Sequence, residues 1–278
     1  MANYPQLDDC SGVWTLKEVH DAVMGGYWRN ANSKGLHVGG GSPADVKTID
    51  KITISAEGNS TDFGDLDTAM SSQTGFSSFV RGCFAGGAPA IDTIEYVTFT
   101  TEGNGADFGN LTDGVNLAAG GSNSVRGLVA GGRDPGMSNI INYNTIASVG
   151  NSIDFGDLTQ SRAMFAAMTS PTRCVFAGGF TPSEVDTIDF VEISTTGNAT
   201  DFGDCVATQY NMAGTSSSTR GVTMGAYNGG QTGVCDFLTI ASQGNMLNFG
   251  DLSITRIATQ GTGNSVRAVM MAGQNTSG

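Results

Sequence analysis

The stretch TIDFVEISTTGNATDFGD, residues 187–204, decides the fold because variants of it recur along the chain. Gly58-Asn59, Gly103-Asn104, Gly150-Asn151, Gly197-Asn198 and Gly244-Asn245 are spaced by 45, 47, 47 and 47 residues. Three residues after each Asn begins an aromatic motif: DFGDL at 62–66, DFGNL at 107–111, DFGDL at 154–158, DFGDC at 201–205 and NFGDL at 248–252. A third marker, an Arg opening a short apolar run that ends in small residues, keeps the same phase at Arg81, Arg126, Arg173, Arg220 and Arg267, with Lys34 in the equivalent place. Three markers in fixed phase establish an internal repeat.

Each repeat holds four strand candidates. RGLVAGG (126–132) is an apolar run closed by paired Gly, and TIDFVEIS (187–194) is rich in β-branched and aromatic residues. The Gly-Asn pair is expected to form the hairpin turn, since Gly takes positive φ at little cost. DFGDL supplies the next strand, and a small-residue stretch such as NMAGTSSS (211–218) supplies the remaining one. Four short strands in about 47 residues describe a propeller blade, so the fold expected is all-β, a β-propeller. The length accommodates six four-stranded blades, the last closed by strands from both ends of the chain. ITRIATQGT (254–262) and VRAVMMAG (266–273) would provide two strands, GVWTL (12–16) another, and residues 3–9 a fourth. A five-bladed ring with appended ends is the alternative. The division expected is 1–33, a closing strand with a short helix at 16–24 or an attachment segment, and 34–278, the repeats.

Composition narrows the function. Gly accounts for 41 of 278 residues, and Lys+Arg 13 against Asp+Glu 26 gives a net charge of −13. That acidity argues against nucleic acid, which is bound through clustered Lys and Arg. No apolar run approaches a membrane span and no basic-then-apolar leader is read. The two His, His20 and His37, cannot build a His-rich metal site. The five Cys, at 10, 83, 174, 205 and 235, are odd in number and lack a CxxC, which reads as small buried hydrophobes.

The repeated Phe63, Phe108, Phe155, Phe202 and Phe249 are expected to pack between blades. Arg81, Arg126, Arg173, Arg220 and Arg267, with Asp62, Asp107, Asp154 and Asp201, are expected to form an Arg–carboxylate ladder. A second reading gives the GNxxDFGD carboxylates to Ca²⁺; a third makes a charged ring for binding. No cofactor is otherwise expected. GxSxG, HExxH and P-loop patterns are absent, so the chain does not read as an enzyme. Departures from the repeat concentrate in GGSPAD (40–45), APAID (88–92), RDPGMSN (133–139), FTPSEVD (180–186) and YNGGQTG (227–233), which follow the same strand and so belong on one face. Asp45, Arg133, Asp134, Glu184, Tyr227 and Asn228 are the candidate binding residues there, and Trp14 and Trp28 the candidates for attachment.

The Gly-Gly strand and its two followers resemble kelch repeats, with Phe where kelch carries Trp. More specifically, IDxxxISxxGNxTDFGD, at 49–65 and 188–204, resembles repeats in structural proteins of marine tailed bacteriophages, and SGVWTLKEV (11–19) resembles segments beside such repeats in tail and fibre proteins. The resemblance spans about 34–273 and implies a virion protein on the tail or capsid exterior. It would be present in multiple copies, contacting other virion proteins and displaying loops for host attachment through a surface glycan or protein. Capsid decoration or tail assembly is the alternative, and a glycan-acting enzyme the second alternative.

Overall fold

The computed structural model describes residues 34–41 and 44–275, all-β and without helices. It is a β-propeller whose strands pair antiparallel within each blade. The first blade has three strands, β1 (Lys34–Val38), β2 (Thr48–Thr53) and β3 (Thr61–Asp65). Three blades of four strands follow: β4 (Thr74–Ser77) to β5 (Arg81–Ala85), β6 (Ile91–Thr98) and β7 (Ala106–Val115); β8 (Ala119–Ser122) to β9 (Arg126–Ala130), β10 (Ile140–Thr145) and β11 (Ile153–Asp157); β12 (Ala166–Thr169) to β13 (Arg173–Ala177), β14 (Thr187–Glu192) and β15 (Thr200–Asp204). The fifth blade is β16 (Ala213–Ser216), β17 (Arg220–Tyr227), β18 (Gln231–Thr239) and β19 (Leu247–Asp251). A two-stranded ribbon, β20 (Gln260–Gly263) and β21 (Ala268–Met271), comes last.

Five blades therefore form, as in the alternative reading, and the six four-stranded blades expected first are not present among the described residues. Among the described residues, the chain after Asp251 forms two strands, which take the first two strand positions of the repeat. The closing strands expected at 3–9 and 12–16, the helix at 16–24, Trp14 and Trp28 all lie outside the described residues. The ribbon occupies the next place in the ring. β16 contacts β20, and β20 contacts β1. The Arg267 Nη1 donates to Ile54 O at 3.3 Å, which ties the ribbon to the first blade.

Hydrophobic burial lies in the seams between blades rather than within any one sheet. The seam between the third and fourth blades gathers Leu128, Ile141, Phe155 and Leu158 from one side and Cys174, Phe176, Val191 and Ile193 from the other. Equivalent clusters fill the other three seams between blades. Short strands can bury both faces only this way, since a four-stranded sheet alone leaves an apolar face in water. Phe63, Phe108, Phe155 and Phe202 are all buried as expected. Each is the extra residue of a β-bulge: Ile188 pairs Gly203 and Asp189 pairs Asp201, so Phe202 is skipped.

Candidate functional site

The repeated residues build a clasp between blades. Within a blade, the Arg of the second strand lies over the aromatic ring of the third, with Arg81 over Tyr96, Arg126 over Tyr143, Arg173 over Phe190 and Arg220 over Phe237, at 4.6–4.8 Å. That ring in turn meets the repeat Phe edge-on, as Tyr143 meets Phe155 with centroids 5.9 Å apart. The guanidinium then reaches the following blade. Arg81 donates to Ile146 O at 2.9 Å, Arg126 to Ile193 O at 3.0 Å, and Arg173 to Ile240 O at 3.3 Å. Lys34 does the same with Phe99 O.

This corrects the expected Arg–carboxylate ladder. Asp62, Asp107, Asp154 and Asp201 are exposed, and among the described residues none pairs with the repeated arginines. Asp107 and Asp154 instead accept the N–H of the Gly two residues on, at 3.2 Å. A cation stacked over a ring and pointed at backbone carbonyls needs no carboxylate. Among the described residues, Arg173 alone of the five also has one, Glu192, at 2.7 Å. No three Asp, Glu, His or Cys side chains converge among the described residues.

The Gly-Asn pair also differs from expectation. The tight turn falls earlier, where Thr195 N donates to Glu192 O and Ser242 N to Thr239 O. Gly-Asn follows it and grips the preceding blade. Gly244 N donates to Phe202 O at 2.9 Å, Asn245 Oδ1 accepts from Asp204 N at 3.1 Å, and Met246 N donates to Asp204 O at 2.9 Å. Three earlier seams repeat this three-bond pattern. The approach is close enough that a Cβ on Gly203 would stand 2.6 Å from the backbone of Gly244.

A buried polar position went unread. Glu95, Asn142, Asp189 and Asp236 occupy one repeat slot and are each under 6% exposed. They secure the chain that leaves the preceding blade. Glu95 accepts from Asp67 N at 2.9 Å, Asn142 from the Thr112 hydroxyl at 2.8 Å, and Asp189 from that of Thr159 at 2.6 Å. Asp189 also pairs with Arg162 at 3.1 Å, both fully buried. Burial raises the Glu95 carboxyl against the pull of hydrogen bonds from Asp67 N and Thr68 N, and raises the Asp236 carboxyl, whose Oδ1 has no hydrogen-bond partner among the described residues. Burial also lowers the Arg162 guanidinium, which Asp189 opposes. The signal was a polar residue inside an apolar third strand, as in Ile188-Asp189-Phe190-Val191.

Cys83, Cys174, Cys205 and Cys235 are free and buried, as expected; Cys10 lies outside the described residues. Burial pushes the Cys83 and Cys205 thiols up to about 12 and raises those of Cys174 and Cys235, which keeps them protonated and unreactive.

The variable loops occupy one topological position, after the second strand of each blade. The structure brings three of their candidate residues together at the junction of the fourth and fifth blades. Gly229 N donates to Glu184 Oε1 at 3.3 Å, joining the 180–186 and 227–233 loops beside Tyr227 and exposed Asn228. Tyr210 and Tyr227 exchange backbone hydrogen bonds, and their rings stand 5.2 Å apart. Phe180 stands 5.2 Å from Tyr210. All three rings are partly exposed, and burial together with Tyr227 and Glu184 raises the Tyr210 phenol. In the second and third blades and the ribbon, the corresponding bridge pairs are Ser71 with Ala88, Asn116 with Arg133, and Ile257 with Gln274. The aromatic group is thus a departure from the repeat. Asp45 and Arg133 form bridges within their own loops, with Gly41 and Met137, and Asp134 N bonds to Gly136 O; all three are exposed.

No family model matches the chain, and no curated protein matches it in sequence.

Proposed function

We propose that this chain is a non-enzymatic virion structural protein, a kelch-like propeller carried on the tail or a tail fibre, whose loops bind a glycan or protein on the host surface. The observation that carries the reading is the group formed by Phe180, Tyr210 and Tyr227 with Glu184 and Asn228. It breaks the repeat at one place on the loop-bearing rim and offers ring faces beside a carboxylate and an amide. Ring faces stack on the C–H faces of sugars and the polar groups orient hydroxyls, so the set suits weak recognition multiplied over many copies. The phage-like repeat IDxxxISxxGNxTDFGD supports the virion assignment. The non-enzymatic reading is supported by the employment of Glu95 and Asp189 in holding adjacent blades together.

The test is localisation of this chain in an intact particle by cryo-EM, with host-cell binding by the purified protein. Density at the tail periphery, with binding lost in Tyr210→Ala/Tyr227→Ala, is the expected result. Density on the capsid lattice would make the chain a decoration protein instead, and glycan hydrolysis by the purified protein would overturn the non-enzymatic reading.

A further inference from the structure

Asn-Gly occurs twice in the chain, at Asn104-Gly105 and Asn228-Gly229. The pair is chemically distinct, because a Gly nitrogen has no Cβ beside it to hinder attack on the amide carbon of the preceding side chain. Both Asn are exposed, so access to water does not separate them. Their hydrogen bonds do. Asn104 Oδ1 accepts from Asp65 N at 3.1 Å, and Gly105 N donates to Asp65 O at 2.8 Å. The side-chain amide and the attacking nitrogen are thus both held against the neighbouring blade, with the N–H on a carbonyl, which is a very weak base. Gly105 is also hemmed in, since a Cβ there would stand 2.6 Å from the Glu95 carboxylate, itself occupied by Asp67 N.

Asn228-Gly229 stands at the tip of the 227–233 loop. Among the described residues the Asn228 side chain makes no hydrogen bond, and a Cβ on Gly229 or Gly230 would meet nothing within 4 Å. The tip therefore has room to bring the amide carbon onto the nitrogen. Gly229 N donates to Glu184 Oε1 at 3.3 Å, across the junction with the fourth blade. No Lys or Arg pairs with Glu184 among the described residues. A carboxylate on the N–H of the attacking nitrogen sits where a general base must sit. We propose that Asn228-Gly229 is a self-modification site with Glu184 as its catalytic base. Gly229 N attacks Asn228 Cγ as its proton passes to Glu184. The N–Cγ bond forms, the Cγ–Nδ2 bond breaks, and Glu184 returns the proton to the leaving nitrogen, which departs as ammonia. Water then opens the resulting succinimide at either carbonyl, leaving aspartate or isoaspartate at position 228. Either product sets a second negative charge beside Glu184 and Tyr227, and isoaspartate also adds a methylene to the backbone of the tip. The chemistry needs only this loop, Glu184 and water, so it is independent of the host-attachment reading.

Peptide mapping by mass spectrometry on the purified full-length chain, held at neutral pH, tests it with Asn104 as the internal reference. Position 228 should convert at least ~10-fold faster than position 104. Glu184→Gln can still accept the Gly229 N–H but cannot take its proton, so it should slow position 228 at least ~10-fold and leave position 104 unchanged. Glu184→Asp keeps the charge but withdraws the carboxylate; it should slow position 228 as well, and decides the matter should the first variant fail to fold. Equal rates at the two positions in the parent overturn the site. A Glu184→Gln variant that converts position 228 as fast as the parent, or faster, overturns the base, because the bond then only restrains the loop.

Discussion

Phe202 and Phe249 occupy the same slot of the same motif, one repeat apart. Phe202 is buried in a seam with Leu238, Ile240 and Met246 of the next blade, and Phe249 is largely exposed. Both contact an aromatic of their own sheet edge-on, Phe190 and Phe237 respectively, so the difference does not arise within the blade. What the next position in the ring supplies decides whether the motif is core or surface. The same holds one slot along: Asp189 pairs with Arg162, whereas Asp236, its counterpart, has the neutral Gln209 in the place of that Arg and no ion-pair partner among the described residues.

The sharpest way to break this comparison is to truncate both rings. Phe202→Ala should cost ~3–5 kcal/mol in urea unfolding, the loss for a buried aromatic. Phe249→Ala should cost under ~1 kcal/mol, as for a largely exposed ring; a cost as large as that at Phe202 would show that the ring is covered in solution. Next in size is the buried pair. Asp189→Asn strands the Arg162 charge and should cost ~3 kcal/mol or more. Asp236→Asn faces no cation, removes a carboxyl whose ionisation burial already disfavours, and should lie within ~1 kcal/mol of the parent. Both are read by denaturation at neutral pH.

The glycine pair sharpens the contrast further. Gly203→Ala and Gly250→Ala impose the same strain, since both residues have positive φ of 148° and 146°. Only at Gly203 does the new Cβ strike backbone, so its loss should exceed that at Gly250 by ~1–3 kcal/mol. Asn245→Ala removes one clasp to Asp204 N and should cost ~1 kcal/mol, with a null result for Asn59→Ala, whose side chain is exposed.

The smallest effects are those of pH. Lys34 and Lys51 hold the exposed Glu102 carboxyl down to about 2 from an ordinary 4.5. Its folded value is depressed, so its contribution is present above pH 4.5 and lost as pH falls toward 2. Glu102→Gln should therefore lower the urea midpoint slightly at pH 6 and leave it unchanged at pH 2. Glu95 runs the other way. Its folded value is raised, so its contribution is full below the ordinary value and is lost as pH rises through the raised one. The difference between parent and Glu95→Gln should accordingly shift against the parent between acid and neutral pH.

The blade was legible because four strands, their small-residue ends and a bulged Phe all repeat in one phase, and phase is what a sequence displays. The clasp was only half legible. The Arg slot was visible, but its partner is a main-chain carbonyl such as Ile193 O, which has no letter of its own. Carboxylates, which do, drew the assignment instead. The Gly-Asn pair misled for a related reason. Its composition suits a hairpin turn, and its work is done against a different blade. Phe249 shows the limit of motif reading, since its burial is a property of its neighbour. The aromatic group was legible one residue at a time: Tyr227, Glu184 and Asn228 stood out as loop departures, whereas Phe180 and Tyr210 needed the ring to bring adjacent blades together.

The clasp runs in one direction. Each of the first four blades hands its cation and the backbone of its DFGD-type strand to the blade after it, and each of the second to fifth receives the same from the blade before. A repeat is thus a coupler with one male and one female side, and every complete repeat fits every other. A copied unit of about 47 residues could be spliced between any two existing blades without redesigning either junction. Growth or loss of the ring by whole units would then be limited by the curvature at which the two ends meet, while the loops between the second and third strands diverge freely.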